Sequence, residues 1–259
     1  MIMEYTGVKV LYLAHGRAGL ECMQKLLFEL KVNPSNIYTL TYDREENHEL
    51  IELCRKEGVV CSTRSIKDEK TRDALIAFGS DVVVSMHFRE LIPAVIFKSA
   101  TMGGFNLHPS LLPKFRGCFS GVWAIIKGEE TTGVSYHYLN EHFDDGNIIL
   151  QASLNIATQD TGFTLFNRLI DLGVSCFNKA FELVVKDNFK GLDQVGEPSY
   201  FSRKLPYEGL IRPEWSEEEI ERFVRALNFA DLDGAQVKTD KGKIAVKTMD
   251  EYRKLVVRK

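Results

Sequence analysis

The chain is poor in cysteine, proline and tryptophan, with five, seven and two of them in 259 residues. The thiols Cys22, Cys54, Cys61, Cys118 and Cys176 form no CxxC pair and leave one over, which excludes a disulfide-framed secreted scaffold. They are expected to be reduced core or bystander residues. No apolar run approaches the roughly 20 residues of a membrane span, and the N-terminus lacks the apolar core of a signal peptide. A cytoplasmic location without membrane contact is therefore expected. Excess charge is missing too: 33 Lys and Arg against 36 Asp and Glu leave a net charge of -3, which offers no general basic surface for nucleic acid. No internal repeat or low-complexity stretch is found. What remains, 44% hydrophobic and 27% charged residues, is ordinary for a globular chain able to bury a full core.

Strand and helix patterns alternate from the start. "VKVLYLA" (8–14), "IYTLTY" (37–42), "VVCS" (59–62) and "DVVVSM" (81–86) read as strands, the last as an inner parallel strand covered on both faces. Helical spacing is predicted at 18–31, 46–57, 68–79, 93–99 and 119–128. The strands "GFNLH", "TGVSYHYL" (132–139) and "NIILQASLNI" (147–156) follow, then a long amphipathic helix over 161–187. The pattern predicts a doubly wound, Rossmann-like α/β fold with a mixed sheet, whose ligands collect at the carboxyl ends of the strands. Residues 1–190 are expected to form the main domain and 191–259 a small α+β extension. That extension should hold one helix opened by Ser216 and a short β-hairpin turning at 240–242.

Two stretches carry chemistry. In "GGFNLHPSLLPKFRG" (103–117), Asn106 and His108 lie two apart on one strand and share a face, so an amide and an imidazole can converge on one small object. "HYLNEHFDDGNIILQ" (137–151) places Asp144 and Asp145 before Gly146, in a loop between two strands of the same sheet. A third stretch, "AHGRAG" (14–19), opens the first helix without matching GxGxxG; a phosphate or diphosphate near Gly16 and Arg17 is expected there, not a dinucleotide. His108, His137, His142, Asp144 and Asp145 lack the spacing of a helical zinc motif, so no metal is expected.

The run Asn106-Leu107-His108-Pro109-Ser110-Leu111-Leu112-Pro113, with Phe115-Arg116-Gly117, Thr132-Gly133-Val134 and Phe143-Asp144-Asp145-Gly146, resembles the N10-formyltetrahydrofolate-dependent formyltransferase family. The resemblance covers roughly residues 8–190 and implies the formyltransferase fold, with Asn106, His108 and Asp144 as the catalytic triad. Asp144 rather than Asp145 fits the family register of apolar, Asp, any residue, Gly. The residue types suit the reaction. Formyl transfer to an amine passes through a tetrahedral adduct whose oxygen turns negative, and donors must already be aimed at it. A carboxylate near His108 favours the imidazolium and can relay the amine proton. His137 is placed to hold that carboxylate, and no covalent nucleophile is required of Ser110 or Cys118.

By the same resemblance, N10-formyltetrahydrofolate is the cosubstrate. Its ring is expected against the loops "MHFRELIP" (86–93) and "LNE" (139–141), at Phe88, Leu91, Ile92, Leu139, Asn140 and Glu141. The stretch "GEPSYFSRKLPYEGLIRPEWSEEEIERFVRAL" is similar to sugar N-formyltransferases acting on 4-amino-4,6-dideoxyhexoses. That implies a nucleotide-sugar substrate for surface polysaccharide, such as O-antigen, contacted by Gly16, Arg17, Ser110, Arg116, Tyr200 and Tyr207. Tyr200, Phe201, Tyr207 and Trp215 offer flat faces for a base, and Arg203 and Arg225 offer charge. The segment "ADLDGA" (230–235) departs from the proline-rich turn frequent in the family. Nucleic acid and membrane are not expected partners, and self-association into a homodimer is left open. The alternatives are a phosphoribosylglycinamide formyltransferase, a formyltetrahydrofolate hydrolase, and a catalytically silent folate-binding protein.

Overall fold

Every residue of Val10–Ala14 (β1) is buried, as an unbroken apolar run requires of a strand covered on both faces. The computed structural model that carries this strand describes residues 4–229, 232–240 and 242–256. α1 (Gly16–Gln24) runs on as a π-helical turn, and β2 (Ile37–Leu40), α2 (His48–Glu57) and β3 (Val60–Ser62) follow. Then come α3 (Glu69–Ala77), β4 (Val82–Met86), α4 (Ala94–Ser99), β5 (Gly104–His108), β6 (Arg116–Gly117) and α5 (Ser120–Ile126). β7 (Thr131–Tyr138), β8 (Ile148–Asn155), α6 (Gly162–Val185), β9 (Tyr200–Phe201), α7 (Glu217–Leu227), β10 (Ala235–Thr239), β11 (Gly242–Val246) and α8 (Met249–Val256) complete the order.

Seven strands form one sheet in the order β3-β2-β1-β4-β5-β7-β8. β1 pairs in parallel with β2 and β4, β2 with β3 and β4 with β5, whereas β5 meets β7 antiparallel. The chain reverses its winding between β1 and β4, the place where an open α/β sheet leaves a crevice at its carboxyl edge. The mixed α/β sheet is the one expected. Among the described residues, no helix is long and apolar enough to cross a membrane.

Packing divides the chain into two units, each discontinuous in sequence. The first comprises residues 1–108, 134–152 and 170–196, and the second 109–133, 153–169 and 197–259. Residues 109–133 and 153–169, placed by the sequence with the first 190, thus group with the C-terminal segment. In the first unit, Leu11, Leu13, Leu40, Val83, Ile96 and Phe97 fill one side of the sheet. Tyr12, Met23, Tyr136, Phe177 and Phe181 are fully buried as well, and the two tyrosine hydroxyls are satisfied by the carbonyls of Gly19 (2.6 Å) and Gly173 (2.8 Å).

In the second unit Trp123 stacks on Phe201 at 4.2 Å, and Trp215 packs edge-on to Tyr207 and Phe223, each at 4.9 Å. α7 begins with a reciprocal cap: Ser216 Oγ accepts from the Glu219 N–H, and the Glu219 carboxylate accepts from the Ser216 N–H. β10 and β11 pair antiparallel, Ala235 with Val246 and Thr239 with Gly242. α8, eight residues with Met249, Tyr252, Leu255 and Val256 at helical spacing, was not expected; its start is held by Thr248 Oγ1, which accepts from the Glu251 N–H. The two-residue pairing of β6 with β9 is too short for periodicity to reveal. Ala230 and Asp231 of the departing segment 230–235 lie outside the described residues.

Candidate active site

β5 ends at the carboxyl edge of the sheet, and its alternation presents Asn106 half-buried and His108 almost fully buried. Its neighbours continue the pattern across the sheet. Ser85 of β4 lies opposite Asn106, and Asn106 lies opposite His137 of β7. Beyond β7 the chain enters the loop that carries Asp144, a residue in the left-handed region at φ 53°, where aspartate is among the side chains that settle. That loop is tightly constrained. Gly146 passes so close to β7 that a Cβ there would lie 1.9 Å from the Tyr138 carbonyl oxygen. Gln194 donates from Nε2 to the carbonyls of Asp144 and Gly146, both at 2.9 Å.

The result brings Asn106, His108, His137 and Asp144 together. Asp144 Oδ2 lies 3.5 Å from His108 Nδ1, and its Oδ1 lies 3.4 Å from His137 Nε2. These separations are looser than tight hydrogen bonds. The Asn106 amide nitrogen is 3.2 Å from His137 Nε2, and its carbonyl oxygen accepts from Ser85 Oγ at 2.7 Å. Ser85, His108 and His137 are all at least nineteen-twentieths buried. A half-buried amide beside a buried imidazole and carboxylate can donate to a developing oxyanion and move a proton. Asp145 follows in the same loop but outside the two histidine contacts.

The candidate folate residues divide by exposure. Phe88 and Leu139 pack on the apolar cluster that includes Ile92, whereas Leu91 is 56% exposed. Phe88 also stacks on Tyr42 at 5.1 Å, an aromatic partner the sequence did not suggest. Asn140 Oδ1 accepts from the His142 N–H at 3.0 Å, and Glu141 pairs with Lys98 on the surface. Flat, apolar surface of this kind suits a planar ring.

At the start of α1 the Gly16 N–H donates to Asn47 Oδ1 at 2.7 Å, and Asn47, fully buried, donates in turn to the Tyr42 carbonyl. Arg17 pairs with Asp171 and Glu21. His15 and His87 sit 5.9 Å apart, centroid to centroid. Burial is the main cause that lowers the affinity of both rings for a proton, taking His87 down to about 4.

Ser110, Arg116, Tyr200 and Tyr207 belong to the second unit. Ser110 is buried and donates to the Lys114 carbonyl at 2.7 Å, and Arg116 lies in β6 opposite Tyr200 in β9. Of the aromatics considered for a base, Phe201, Tyr207 and Trp215 make ring contacts within this unit, while Tyr200 is 58% exposed. Arg225 donates to the Asp160 carbonyl at 2.7 Å and pairs with Glu221. Residues the sequence reading missed, Ser85, Asn47 and Gln194, carry no motif; only the strand register and the loop path reveal them.

Known proteins share this sequence and architecture. The family described as Formyl transferase matches residues 32–181. GDP-perosamine N-formyltransferase of Brucella melitensis biotype 1 is 37% identical over 250 residues, covering 96% of this chain and 95% of that protein. A sugar N-formyltransferase structure from a Shewanella species aligns with a TM-score of 0.76 at 20% identity, over 95% of this chain and 97% of the other. The N-formyltransferase of Helicobacter canadensis, solved with folinic acid and dTDP-3-aminofucose, has a TM-score of 0.75 at 20% identity, over 92% of this chain and 86% of its own. The two structures establish the shared fold, and the family match together with the 37% identity establishes kinship. This chain therefore belongs to the formyl transferase family and is an N-formyltransferase.

Proposed function

We propose that the enzyme transfers the formyl group of N10-formyltetrahydrofolate to the amine of a GDP-linked 4-amino-4,6-dideoxyhexose, in the cytoplasm, for O-antigen or a related surface polysaccharide. The observation that carries the acceptor is the 37% identity to GDP-perosamine N-formyltransferase across nearly the whole of both chains. The folate supplies a formyl group already activated for transfer.

The chain's own residues have distinct tasks in this reading. An Nδ2–H of Asn106 and the His108 ring donate to the reacting carbonyl oxygen as it gains charge. Asp144, against Nδ1 of His108, orients that ring and takes up the proton the amine must lose; the same proton is returned to the departing nitrogen. Phe88, Ile92 and Leu139 form the apolar wall for the folate ring. Arg116 and Tyr200 are the acceptor contacts we favour within the second unit, the first for its charge and the second for its exposed flat ring.

The test is tetrahydrofolate release from the formyl donor, measured with no acceptor, with glycinamide ribonucleotide, and with GDP- and dTDP-linked 4-amino sugars. Release that depends on a nucleotide amino sugar supports the reading. Equal release with no acceptor identifies a hydrolase, and dependence on glycinamide ribonucleotide identifies the ribonucleotide enzyme.

A further inference from the structure

The Asn106 carboxamide is held from both sides by groups of adjacent strands. The register of β4, β5 and β7 aligns Ser85, Asn106 and His137 in one row across the sheet. On one side the Ser85 hydroxyl donates to Asn106 Oδ1 at 2.7 Å. On the other, Asn106 Nδ2 lies 3.2 Å from His137 Nε2. On the far side of the ring, His137 Nδ1 is 2.9 Å from the Tyr138 carbonyl oxygen. A carbonyl oxygen only accepts, so Nδ1 carries the hydrogen, while Nε2 faces both Asn106 Nδ2 and, at 3.4 Å, Asp144 Oδ1.

The amide turns its NH₂ toward His137 and its oxygen toward Ser85, the orientation in which the Ser85 hydroxyl has an acceptor to bond. One Nδ2 hydrogen faces His137, and the second remains for another acceptor.

We infer that Ser85 is a positioning residue for formyl transfer: with His137 it fixes the Asn106 carboxamide so that the second Nδ2–H is presented to the reacting carbonyl oxygen. Ser85 itself is 2% exposed, and its hydroxyl is engaged with Asn106. Orientation of this kind has catalytic value because a donor set in place beforehand need not reorganise as the oxygen gains charge. The inference rests on the formyl-transfer reading, and wild-type turnover with a nucleotide amino sugar is the separate check on that reading.

Ser85→Ala removes the hydroxyl with little change in volume. We expect kcat to fall about fivefold, the effect of losing one ordinary hydrogen bond, with KM for both substrates changed less than about twofold. In an Asn106→Ala background the same substitution should cost nothing further, because the group through which Ser85 acts is gone. Ser85→Thr, which keeps the hydroxyl, should recover turnover. An independent arm follows the Asn106 side-chain NH₂ signal in protein labelled with 15N-asparagine, assigned by its loss in Asn106→Ala; Ser85→Ala should shift it whichever amine is the acceptor. Unchanged turnover and an unchanged Asn106 signal in Ser85→Ala overturn the inference. So does an equal loss of kcat in the presence and absence of the Asn106 amide, which would make Ser85 merely structural.

Discussion

Asp144 Oδ2 stands 3.5 Å from Nδ1 of His108, inside a loop that Gln194 ties down at two carbonyls. A carboxylate in that place commits Nδ1 and turns Nε2 to the opposite side of the ring, the nitrogen that the proposed mechanism gives to the substrate. The neighbouring His137 approaches the other carboxylate oxygen, which leaves Asp144 little rotational freedom.

The two adjacent acids should therefore differ sharply. Asp144→Asn keeps the shape but removes the negative charge beside His108 and the base for the amine proton, and we expect kcat to fall by about 10²–10⁴, the range that general-base catalysis supplies. Asp145→Asn should retain most activity. Steady-state rates of the two variants decide the point, and a loss confined to Asp145→Asn reverses the assignment.

Removing either proposed oxyanion donor should slow turnover without loosening the substrates. Asn106→Ala and His108→Ala are each expected to lower kcat by about 10²–10³, the scale for one such donor. Equilibrium binding of the nucleotide amino sugar, measured by calorimetry, should barely change. An Asn106→Ala enzyme with near wild-type turnover removes the amide from the mechanism.

These residues were legible because each sits in a contiguous pattern: two positions of one strand for Asn106 and His108, and an acid ahead of a required glycine for Asp144. Ser85 and Gln194 were not. A serine in an apolar strand and a glutamine after a helix are common, and their importance arises from β4 lying beside β5 and from the chain returning over the Asp144 loop. The sheet was legible in its alternating periods, while the grouping of 109–133 with 197–259 was not, since it depends on contacts such as Trp123 on Phe201 between segments remote in sequence. Aromatic content alone also failed to separate an exposed ring, Tyr200, from rings that fill a core, such as Phe201.

Acid should destabilise the fold through the histidines at the strand ends. Burial, followed by the charges of His15, Arg89 and His108, lowers His87 from its ordinary 6.5 to about 4. As pH falls through 6.5 the unfolded chain takes up a proton that the folded chain refuses, so stability declines until about pH 4, where both forms hold it. Chemical denaturation at pH 7.0, 5.5 and 4.5 (roughly spanning that window) should show a smaller decline for His87→Asn than for wild type. Asparagine is the choice because His87 has φ 57°, a conformation asparagine tolerates. An identical decline in both proteins assigns the acid sensitivity to other groups.

The acceptor provides the sharpest test of specificity. A 4-amino group must be neutral to attack and must be held near the formyl carbon, and a free monosaccharide offers few groups by which to hold it. A nucleotide supplies a base and a diphosphate remote from the reaction, whose binding energy can be used to position the amine. We expect the free 4-amino sugar to be poorer than its GDP-linked form by at least about 10² in kcat/KM, within what positioning commonly supplies. Tyr200→Ala, at an exposed ring, should raise KM for the nucleotide sugar while leaving kcat near wild type, the signature of lost uniform binding. If the dTDP-linked sugar is turned over as efficiently as the GDP-linked one, the base is not read and only the diphosphate is. If the free sugar matches both, the nucleotide plays no part, and the acceptor must be sought among amines that carry none.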